Sequence, residues 1–396
     1  MASYQEQLES LLAEDICAVM ERERTAFDRL LAEADGRIVL FGAGNLGRKA
    51  LRCLRSAGVE PLAFADNNQA RWGENVDGVR ILSPRVAAEK FGASATFTVT
   101  IWSLGHTFRE TYAKLKSLGC RTVLPSAALR WKFAGELLPD YCQDLPHKLY
   151  EQAAEVRAAA LLWADDESRG EYLSQIRWRA LGDMGALSLP DKEESYFLDS
   201  LFQVQDGEVF VDGGAYIGDT AMQVIRRNRK FEKIIAIEAD PATFARLCEW
   251  ISTAGADVRE RVVPRLIALS SSRGQLRFKA TGTEGACLAP DGDMVVECIP
   301  LDELAADSVP TFIKMDIEGA EYDALLGARS TIQMHGPVVA ACVYHLQNDL
   351  WRIPLLLRKF NPGYRMFLRH HDGDGWQTVC YAVPPHRLRQ TAGVLA

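Results

Sequence analysis

The chain has 396 residues, of which 48% are hydrophobic and 25% are charged, as is usual for a water-soluble globular protein. Because this length exceeds the size at which one hydrophobic core usually stops growing, we expect two domains. The formal net charge of -8 argues against nucleic acid as the main partner, since proteins that bind polyanions concentrate Lys and Arg on one face.

Residues 1–35 form the first predicted element. Apolar residues recur between charged ones from Leu8 to Leu31, which is the spacing of an amphipathic helix that needs a partner surface. Either the next domain or a second subunit of a homo-oligomer can supply that surface. The N-terminus lacks the features of a signal peptide, and the chain contains no run of 18 apolar residues. We therefore expect a cytoplasmic protein without a membrane span.

Residues 36–145 begin with an apolar strand that runs into the turn Gly42-x-Gly44-x-x-Gly47, and a second strand ends at Asp66. A G-x-G-x-x-G turn between strand and helix, with an acid 19 residues after it, is typical of Rossmann-type nucleotide-binding domains. The segments 64–68 and 78–84 resemble the small nucleotide-sugar-binding domains of some sugar acyltransferases. We predict a small Rossmann-type α/β domain that either binds a nucleotide sugar at Gly42, Gly44, Gly47 and Asp66 or serves as a scaffold.

Residues 146–205 are rich in helix-forming and apolar residues, and Gly182, Gly185 and Pro190 interrupt the pattern. Glycine and proline of this kind mark the ends of helices. We predict a helical linker between two domains.

Residues 206–396 start with a strand that ends at Asp212 and passes into a turn spaced by Gly213, Gly214 and Gly218. The glycines allow the backbone to approach a ligand closely. Acids beside the turn repel phosphate groups, but they suit a cationic ligand with an amino-acid tail. A second strand ends at Glu238, 20 residues after Gly218, where a carboxylate suits a ribose diol. Together these features predict a nucleoside site.

Further strands are predicted at 262–269, 311–316, 337–344, 364–369 and 377–383. Strands that alternate with helices indicate a doubly wound sheet, which binds ligands at the carboxyl ends of its strands. The last two strands suit an antiparallel hairpin at the edge of this sheet.

Several motifs in this region point to one family. The segment D-x-G-x-x-x-G from Asp212 to Gly218 resembles the first motif of class I S-adenosylmethionine-dependent methyltransferases. It is followed, in order, by the segment 301–304 (LDEL), the segment 314–321 (K-x-D-x-E-G-x-E) and Tyr344-His345. This combination resembles the FkbM-type methyltransferase family over roughly residues 195–385.

The resemblance implies an α/β fold, a class I methyltransferase Rossmann-like doubly wound sheet, preceded here by the second, smaller Rossmann-type domain. It also implies S-adenosylmethionine-dependent O-methylation of a hydroxyl on a sugar, a glycan or a secondary metabolite. The candidate cofactor-binding residues are Asp212, Gly213, Gly214, Gly218, Asp219, Thr220, Glu238, Ala239, Asp240 and Ser270.

Three residues are predicted to face the acceptor. His345 follows the fifth strand and is the candidate general base, because an alcohol is a poor nucleophile until a base takes its proton. Asp316 and Glu318 lie after the fourth strand. We favour hydrogen bonds from the cofactor or acceptor to these two acids, although oxygen ligands of this kind also suit magnesium.

Two other classes of function remain open at this point. An NAD-dependent oxidoreductase or epimerase would use the first domain for chemistry. A noncatalytic nucleotide-binding protein would keep the second pocket as a scaffold. Asp212, Glu238, Asp316 and His345 count against the noncatalytic alternative, and a copurified nicotinamide cofactor would favour the oxidoreductase.

Overall fold

The computed structural model describes residues 2–283, 285–305 and 308–389. The chain forms two compact units. The first comprises Met1–Val156, Gly170–Pro190 and Asp372–Trp376, and the second comprises Arg157–Arg169, Asp191–His371 and Gln377–Ala396. This division differs from the predicted one, because residues of the predicted linker 146–205 belong partly to each unit.

The first unit contains a six-stranded sheet with the strand order β3-β4-β2-β1-β5-β6. Its strands are β1 (Ile38–Phe41), β2 (Ala63–Ala65), β3 (Asn75–Val76), β4 (Val79–Leu82), β5 (Thr96–Val99) and β6 (Thr122–Pro125). All neighbouring strands are parallel except β3 and β4. The predicted small Rossmann-type sheet is therefore present, with the G-x-G-x-x-G turn directly after β1.

Ten helices precede the second sheet in the described part of the chain. They are α1 (Tyr4–Leu12), α2 (Ile16–Ala32), α3 (Asn45–Ser56), α4 (Pro84–Phe91), α5 (Phe108–Ser117), α6 (Ala127–Lys132), α7 (Ala134–Leu137), α8 (His147–Glu151), α9 (Ala153–Ala160) and α10 (Asp166–Leu181). No helix of the described residues is long and apolar enough to cross a bilayer.

The N-terminal segment forms two helices where the apolar spacing predicted one. The carboxylate of Asp15 accepts hydrogen bonds from the backbone N–H groups of Cys17 and Ala18. An aspartate in this position caps a new helix and ends the preceding one. Phe27 of α2 packs into the core of the first unit with Ile38 and Leu40, so this face of the segment finds its partner within the unit.

The second unit contains a seven-stranded sheet with the order β16-β17-β15-β14-β7-β8-β9. Its strands are β7 (Val209–Gly213), β8 (Lys233–Glu238), β9 (Val262–Leu266), β14 (Phe312–Met315), β15 (Val338–Cys342), β16 (Arg365–His370) and β17 (Thr378–Val383). Strands β9, β8, β7, β14 and β15 are parallel to one another. Strand β17 pairs antiparallel with β15, and β16 pairs antiparallel with β17. The predicted doubly wound sheet with an antiparallel edge is confirmed.

A separate four-stranded sheet has the order β10-β13-β11-β12. It comprises β10 (Ala268–Leu269), β11 (Gly274–Lys279), β12 (Cys287–Leu288) and β13 (Met294–Ile299). The predicted strand 262–269 is therefore two strands, because the chain leaves the large sheet after Leu266 and pairs Ala268 and Leu269 with β13.

The remaining helices of the second unit lie between these strands. They are α11 (Asp219–Arg227), α12 (Pro241–Thr253), α13 (Ala256–Arg259), α14 (Leu301–Leu304), α15 (Glu321–Leu326), α16 (Arg329–His335) and α17 (Asp349–Phe360). Short 3-10 turns occur at Gln69–Arg71, Met184–Ala186, Gly373–Gly375 and Pro385–Arg387.

Candidate functional site

A pocket with about 680 Å³ of empty space opens at the carboxyl ends of β7, β8 and β14 in the second unit. This is the edge where open α/β sheets bind their ligands. Residues from both sheets of the unit line the pocket: Gly214, Tyr216, Ile237, Glu238, Ala239, Ile267, Ala268, Leu269, Phe278, Thr283, Ala286, Leu288, Asp316, Ile317, Glu318 and Ala320.

The turn after β7 needs its glycines for conformation and for space. Gly214 has φ +77°, and a side chain there would overlap the carbonyl group of Asp316. Gly218 has φ +91°, and a side chain there would overlap the ring of Trp250. L-residues rarely adopt such angles. Gly214 therefore brings the turn against the end of β14 and lines the pocket, whereas Gly218 packs against α12.

Glu238 lies at the end of β8 and is fixed at both carboxylate oxygens. Oε2 accepts a hydrogen bond from the N–H of Tyr216 in the turn at 2.8 Å, and Oε1 accepts one from the N–H of Asp240 at 2.8 Å. Burial raises the pKa of Glu238. Each carboxylate oxygen can accept a second hydrogen bond, so Glu238 can still accept hydroxyl donors from a ligand in the pocket.

Asp212 and Lys314 form a buried ion pair beneath the turn. Their side chains are 0% and 3% exposed, and Lys314 Nζ lies 3.1 Å from Asp212 Oδ1. Lys314 also donates to the carbonyl oxygens of Gly213 and Gly214, at 3.2 and 2.6 Å. Burial raises the pKa of Asp212 to about 6. Burial alone would lower the pKa of Lys314, but Asp212 and the nearby Asp316 raise it above its ordinary value.

Of the other predicted cofactor residues, Ala239 lines the pocket, whereas Asp219 and Thr220 begin helix α11. Asp240 and Ser270 are not among the described residues that line it. The carboxylate of Asp240 accepts hydrogen bonds from four backbone N–H groups, at Ala242, Thr243, Thr281 and Gly282. Ser270 follows β10 rather than the large sheet, and its hydroxyl donates to Asp323 at 2.7 Å. The structure thus gives both residues a role in holding loops.

Asp316 follows β14 and is held by two tyrosines. Tyr196 donates its hydroxyl to Asp316 Oδ2 at 2.6 Å, and the hydroxyl of Tyr344 lies 3.4 Å from Oδ1. Burial opposes ionisation of Asp316, but Lys314, His345 and the Tyr196 hydrogen bond outweigh it, so its pKa is lowered. Sequence reasoning missed Tyr196, which lies in the predicted linker and belongs to no recognisable motif.

His345 lies after β15 among three carboxylates. Its Nδ1 is 2.8 Å from Glu321 Oε1, and its Nε2 is 3.4 Å from Asp316 Oδ1 and 3.6 Å from Glu318 Oε1. The side chain is only 2% exposed. The structure therefore brings the three predicted acceptor-facing residues together and adds Glu321, the last acid of the segment 314–321.

This setting changes the expected protonation of His345. Burial alone would lower its pKa, but Glu321, Glu318 and Asp316 together raise the pKa of His345 to about 10. At neutral pH the ring then carries both protons. An imidazolium has no lone pair with which to accept a proton, so the predicted role of His345 as general base does not fit this geometry.

Asp316, Glu321 and His345 place potential ligand atoms within 4.8 Å of one another. The carboxylate of Glu321, however, already accepts the N–H of Ile317 at 2.7 Å, the N–H of Gly319 at 3.0 Å and the contact to His345. The protonated ring supplies the positive charge that these acids require. The residues therefore do not fit a resident magnesium ion well, and we derive no step through a metal.

The turn in the first unit has a related geometry. Asp66 accepts hydrogen bonds from the N–H of Ala43 in the turn and from the N–H of Asn68, both at 2.8 Å. Arg71 donates to the carbonyl oxygen of Ala43 at 3.0 Å, and Arg48 does so at 3.4 Å. Two arginines and Asp66 therefore surround this turn, whereas the turn of the second unit has the Asp212–Lys314 pair beneath it.

Residues 212–372 match the methyltransferase FkbM domain, which confirms the family resemblance of the second unit. The crystal structure of methyltransferase FkbM from Methylobacillus flagellatus matches with a TM-score of 0.74 and 23% identity, covering 94% of this chain and 99% of that chain. This likeness shows a shared fold. Fibrillarin from Aeropyrum pernix, solved with S-adenosyl-L-methionine, matches with a TM-score of 0.29 and 12% identity, covering 46% of this chain and 68% of that chain. No curated protein sequence matches the chain.

Proposed function

We propose that this chain, whose residues 212–372 form a methyltransferase FkbM domain, transfers the methyl group of S-adenosylmethionine to a hydroxyl of a sugar, a glycan or a secondary metabolite. One observation carries the proposal. Glu238 lines the pocket and is tied to the glycine turn by the N–H of Tyr216, which is the arrangement that a nucleoside with a free ribose diol requires.

The charges around the pocket favour a cationic nucleoside over a nucleotide. Asp316 and Glu318 line the wall, and the charge of Asp212 beneath the turn is balanced by Lys314. A diphosphate would be repelled by these carboxylates, whereas a sulfonium would be attracted. Apolar residues such as Ile267, Leu269 and Phe278 also line the pocket and suit the flat face of an adenine ring.

Methyl transfer from a sulfonium needs little covalent help from the protein. The acceptor oxygen displaces the sulfur in line, so much of the acceleration comes from holding donor and acceptor in the reactive geometry. The remaining task is removal of the hydroxyl proton. We assign the face formed by Asp316, Glu318 and His345 to the acceptor, because these three side chains meet beside the pocket.

Isothermal calorimetry tests the cofactor. Wild-type protein should bind S-adenosylmethionine and S-adenosylhomocysteine, and Glu238→Ala should weaken both about 10- to 100-fold, which corresponds to the loss of one to two charge-assisted hydrogen bonds. Asp66→Ala is the matched control, because it removes the corresponding acid of the first unit. Loss of cofactor binding in the control with retention in Glu238→Ala, or binding of NAD alone, would overturn the proposal in favour of an oxidoreductase.

We also propose that the first unit binds the nucleotide portion of a sugar-nucleotide acceptor at Gly42, Gly44, Gly47 and Asp66. The parallel between Asp66 and Glu238 supports this, since each accepts one N–H from the glycine turn and one from the residue two positions later. Arg48 and Arg71 supply the positive charge that a diphosphate would need.

Calorimetry with UDP-glucose and UDP tests this second proposal. A Cβ atom at Gly44 would meet no atom of the protein within 4 Å, so the side chain of Gly44→Trp starts in open space, and we expect it to fill the approach to the turn. Binding that is lost in Gly44→Trp supports the assignment. Absence of binding to the wild type, together with full methyl transfer by Gly44→Trp, would leave the unit a scaffold.

A further inference from the structure

Two carboxylates, Asp316 and Glu318, line the wall of the pocket where an acceptor would meet the cofactor. They differ in how the protein holds them. Asp316 accepts the hydroxyl of Tyr196 at 2.6 Å and is approached by the hydroxyl of Tyr344 and the ring of His345. Hydrogen bonds to the charged form of a carboxylate stabilise it and weaken it as a base. These contacts weaken Asp316 as a proton acceptor.

Glu318 lies in a turn with an unfavourable backbone conformation. It has φ +55°, and the next residue, Gly319, has φ +98°. A residue other than glycine rarely adopts such an angle, and it does so mainly where surrounding contacts enforce it, often at active sites. Glu321 supplies those contacts here, since its carboxylate accepts the N–H groups of Ile317 and Gly319 on either side of Glu318.

Glu321 also holds the imidazole ring that faces Glu318. Its Oε1 contacts Nδ1 of His345, whose other nitrogen lies 3.6 Å from Glu318. One carboxylate therefore fixes both the turn that carries Glu318 and the ring beside it. Such a shared anchor sets the distance between the two groups, which is the task of a supporting residue in a catalytic site.

The ring of His345 lies among acids from two elements. Asp316 and Glu318 come from the turn after β14, and Glu321 comes from α15. Asp349 of α17 also interacts electrostatically with the ring, but burial and Glu321 raise the pKa of Asp349 to about 7. The nearby Tyr344 and Cys342 are neutral, because burial raises their pKa values. A neutral ring would leave these carboxylates in mutual repulsion, so the geometry favours an imidazolium.

We propose that Glu318 takes the proton of the acceptor hydroxyl, and that His345, held by Glu321, is a charged positioning residue beside it. This inference rests on the proposed function. The hydroxyl oxygen forms a bond to the methyl carbon, the carbon–sulfur bond breaks, and its electron pair stays on the sulfur of S-adenosylhomocysteine. The hydroxyl proton moves to the Glu318 carboxylate and is then released to water.

Turnover is measured with methyl-labelled S-adenosylmethionine and a pool of glycosides and UDP-sugars as acceptors. Glu318→Gln keeps the shape of the side chain but cannot take a proton, so turnover should fall about 10²- to 10⁴-fold, while the affinity for S-adenosylhomocysteine stays within about threefold of wild type. Glu260→Gln, an exposed position of the same unit, is the matched control and should keep full turnover.

The pH profile separates the two roles. In wild type the rate should fall at low pH as Glu318 is protonated. In His345→Asn this fall should move to higher pH, because removing the cation makes the carboxylate easier to protonate. If His345 were the base, the acid limb would disappear in His345→Asn, and Glu318→Gln would keep its turnover. Either result overturns the inference.

Ring ¹⁵N NMR of His345 gives a result without any acceptor. Both ring nitrogens should be protonated at pH 8 in the complex with S-adenosylhomocysteine, and Glu321→Gln should shift this titration to lower pH. A neutral ring at pH 8 in the wild-type complex overturns the inference. Failure to bind S-adenosylhomocysteine at all would instead contradict the proposed function.

Discussion

In each unit a glycine turn follows the first strand of the mainly parallel sheet, β1 or β7, and an acid lies at the end of the next strand, β2 or β8. The surroundings of the two turns are different. In the first unit the turn packs on Thr100 and Ile101, and the hydroxyl of Thr100 donates to the carbonyl of Gly42 at 3.0 Å. In the second unit the turn packs in the same way on Asp316 and Ile317, and it also has the buried charges of Asp212 and Lys314 beneath it.

The difference teaches which features of such a turn serve the fold and which serve a ligand. Packing against Thr100 and Ile101 is enough to hold a glycine turn. A buried ion pair is a costly addition to such packing, because both charges lose their hydration and the pair often stabilises a protein less than apolar residues would. Its presence beneath the turn of the second unit, next to Asp316 and His345, therefore indicates a function.

The largest effect that would sharpen this comparison comes from Lys314→Met. It leaves Asp212 without its partner in a site that excludes water, so we expect the unfolding free energy of the second unit to fall by about 3–5 kcal/mol. The carbonyl groups of Gly213 and Gly214 also lose a donor, so S-adenosylhomocysteine should bind more weakly. Urea denaturation and calorimetry measure the two effects.

The double variant Asp212→Asn with Lys314→Met tests the cause. Because it removes both charges, it should recover a large part of the lost stability. Lys279→Met, at an exposed position, should change stability by less than about 0.5 kcal/mol. Equal destabilisation by the single and double variants would mean that packing, and not the buried charge, matters at this position.

A smaller effect distinguishes the glycines of the first turn. A side chain at Gly47 would overlap the carbonyl oxygen of Gly42, whereas one at Gly44 would meet nothing. Gly47→Ala should therefore destabilise the first unit by about 1–3 kcal/mol, and Gly44→Ala should be nearly neutral. Thermal denaturation compares them. If the two variants lost stability equally, Gly44 would be required by the fold and would no longer indicate room for a ligand.

The sequence was sufficient to predict the two mainly parallel sheets, because their strands have local sequence signals, but it did not predict the separate four-stranded sheet. Buried parallel strands such as β7 and β8 appear as continuous apolar runs, and an acid follows each of them at the edge where ligands bind. Glu238 was found in this way, since its distance from Gly218 is set by the length of one helix and one strand.

The sequence could not identify partners that come from distant segments or from unusual backbone. Tyr196 reaches Asp316 from a region that looked like a linker, and only the folded chain shows that contact. Asp240 was assigned to the ligand because of its position next to Glu238, although its oxygens hold the helix and the loop at Thr281. Similarly, nothing in the order of acids around His345 revealed that three of them surround the ring.

The smallest predicted effect is a pH dependence of stability that comes from His345 and is therefore expected only in the second unit. Because the pKa of His345 is raised to about 10 in the folded protein and lies near 6.5 when unfolded, its contribution to stability is complete below about pH 6.5. It is lost as the pH rises towards 10, because the unfolded chain gives up this proton above about pH 6.5 while the folded state still holds it, so that unfolding releases a proton. Between pH 7 and 8 we expect a loss of about 1 kcal/mol in wild type that is absent in His345→Gln. Hydrogen exchange should detect it in β15 of the second unit and not in α3 of the first, whose turn contacts none of these acids. A pH-dependent loss confined to α3 would show that the buried charges do not set the difference between the two turns.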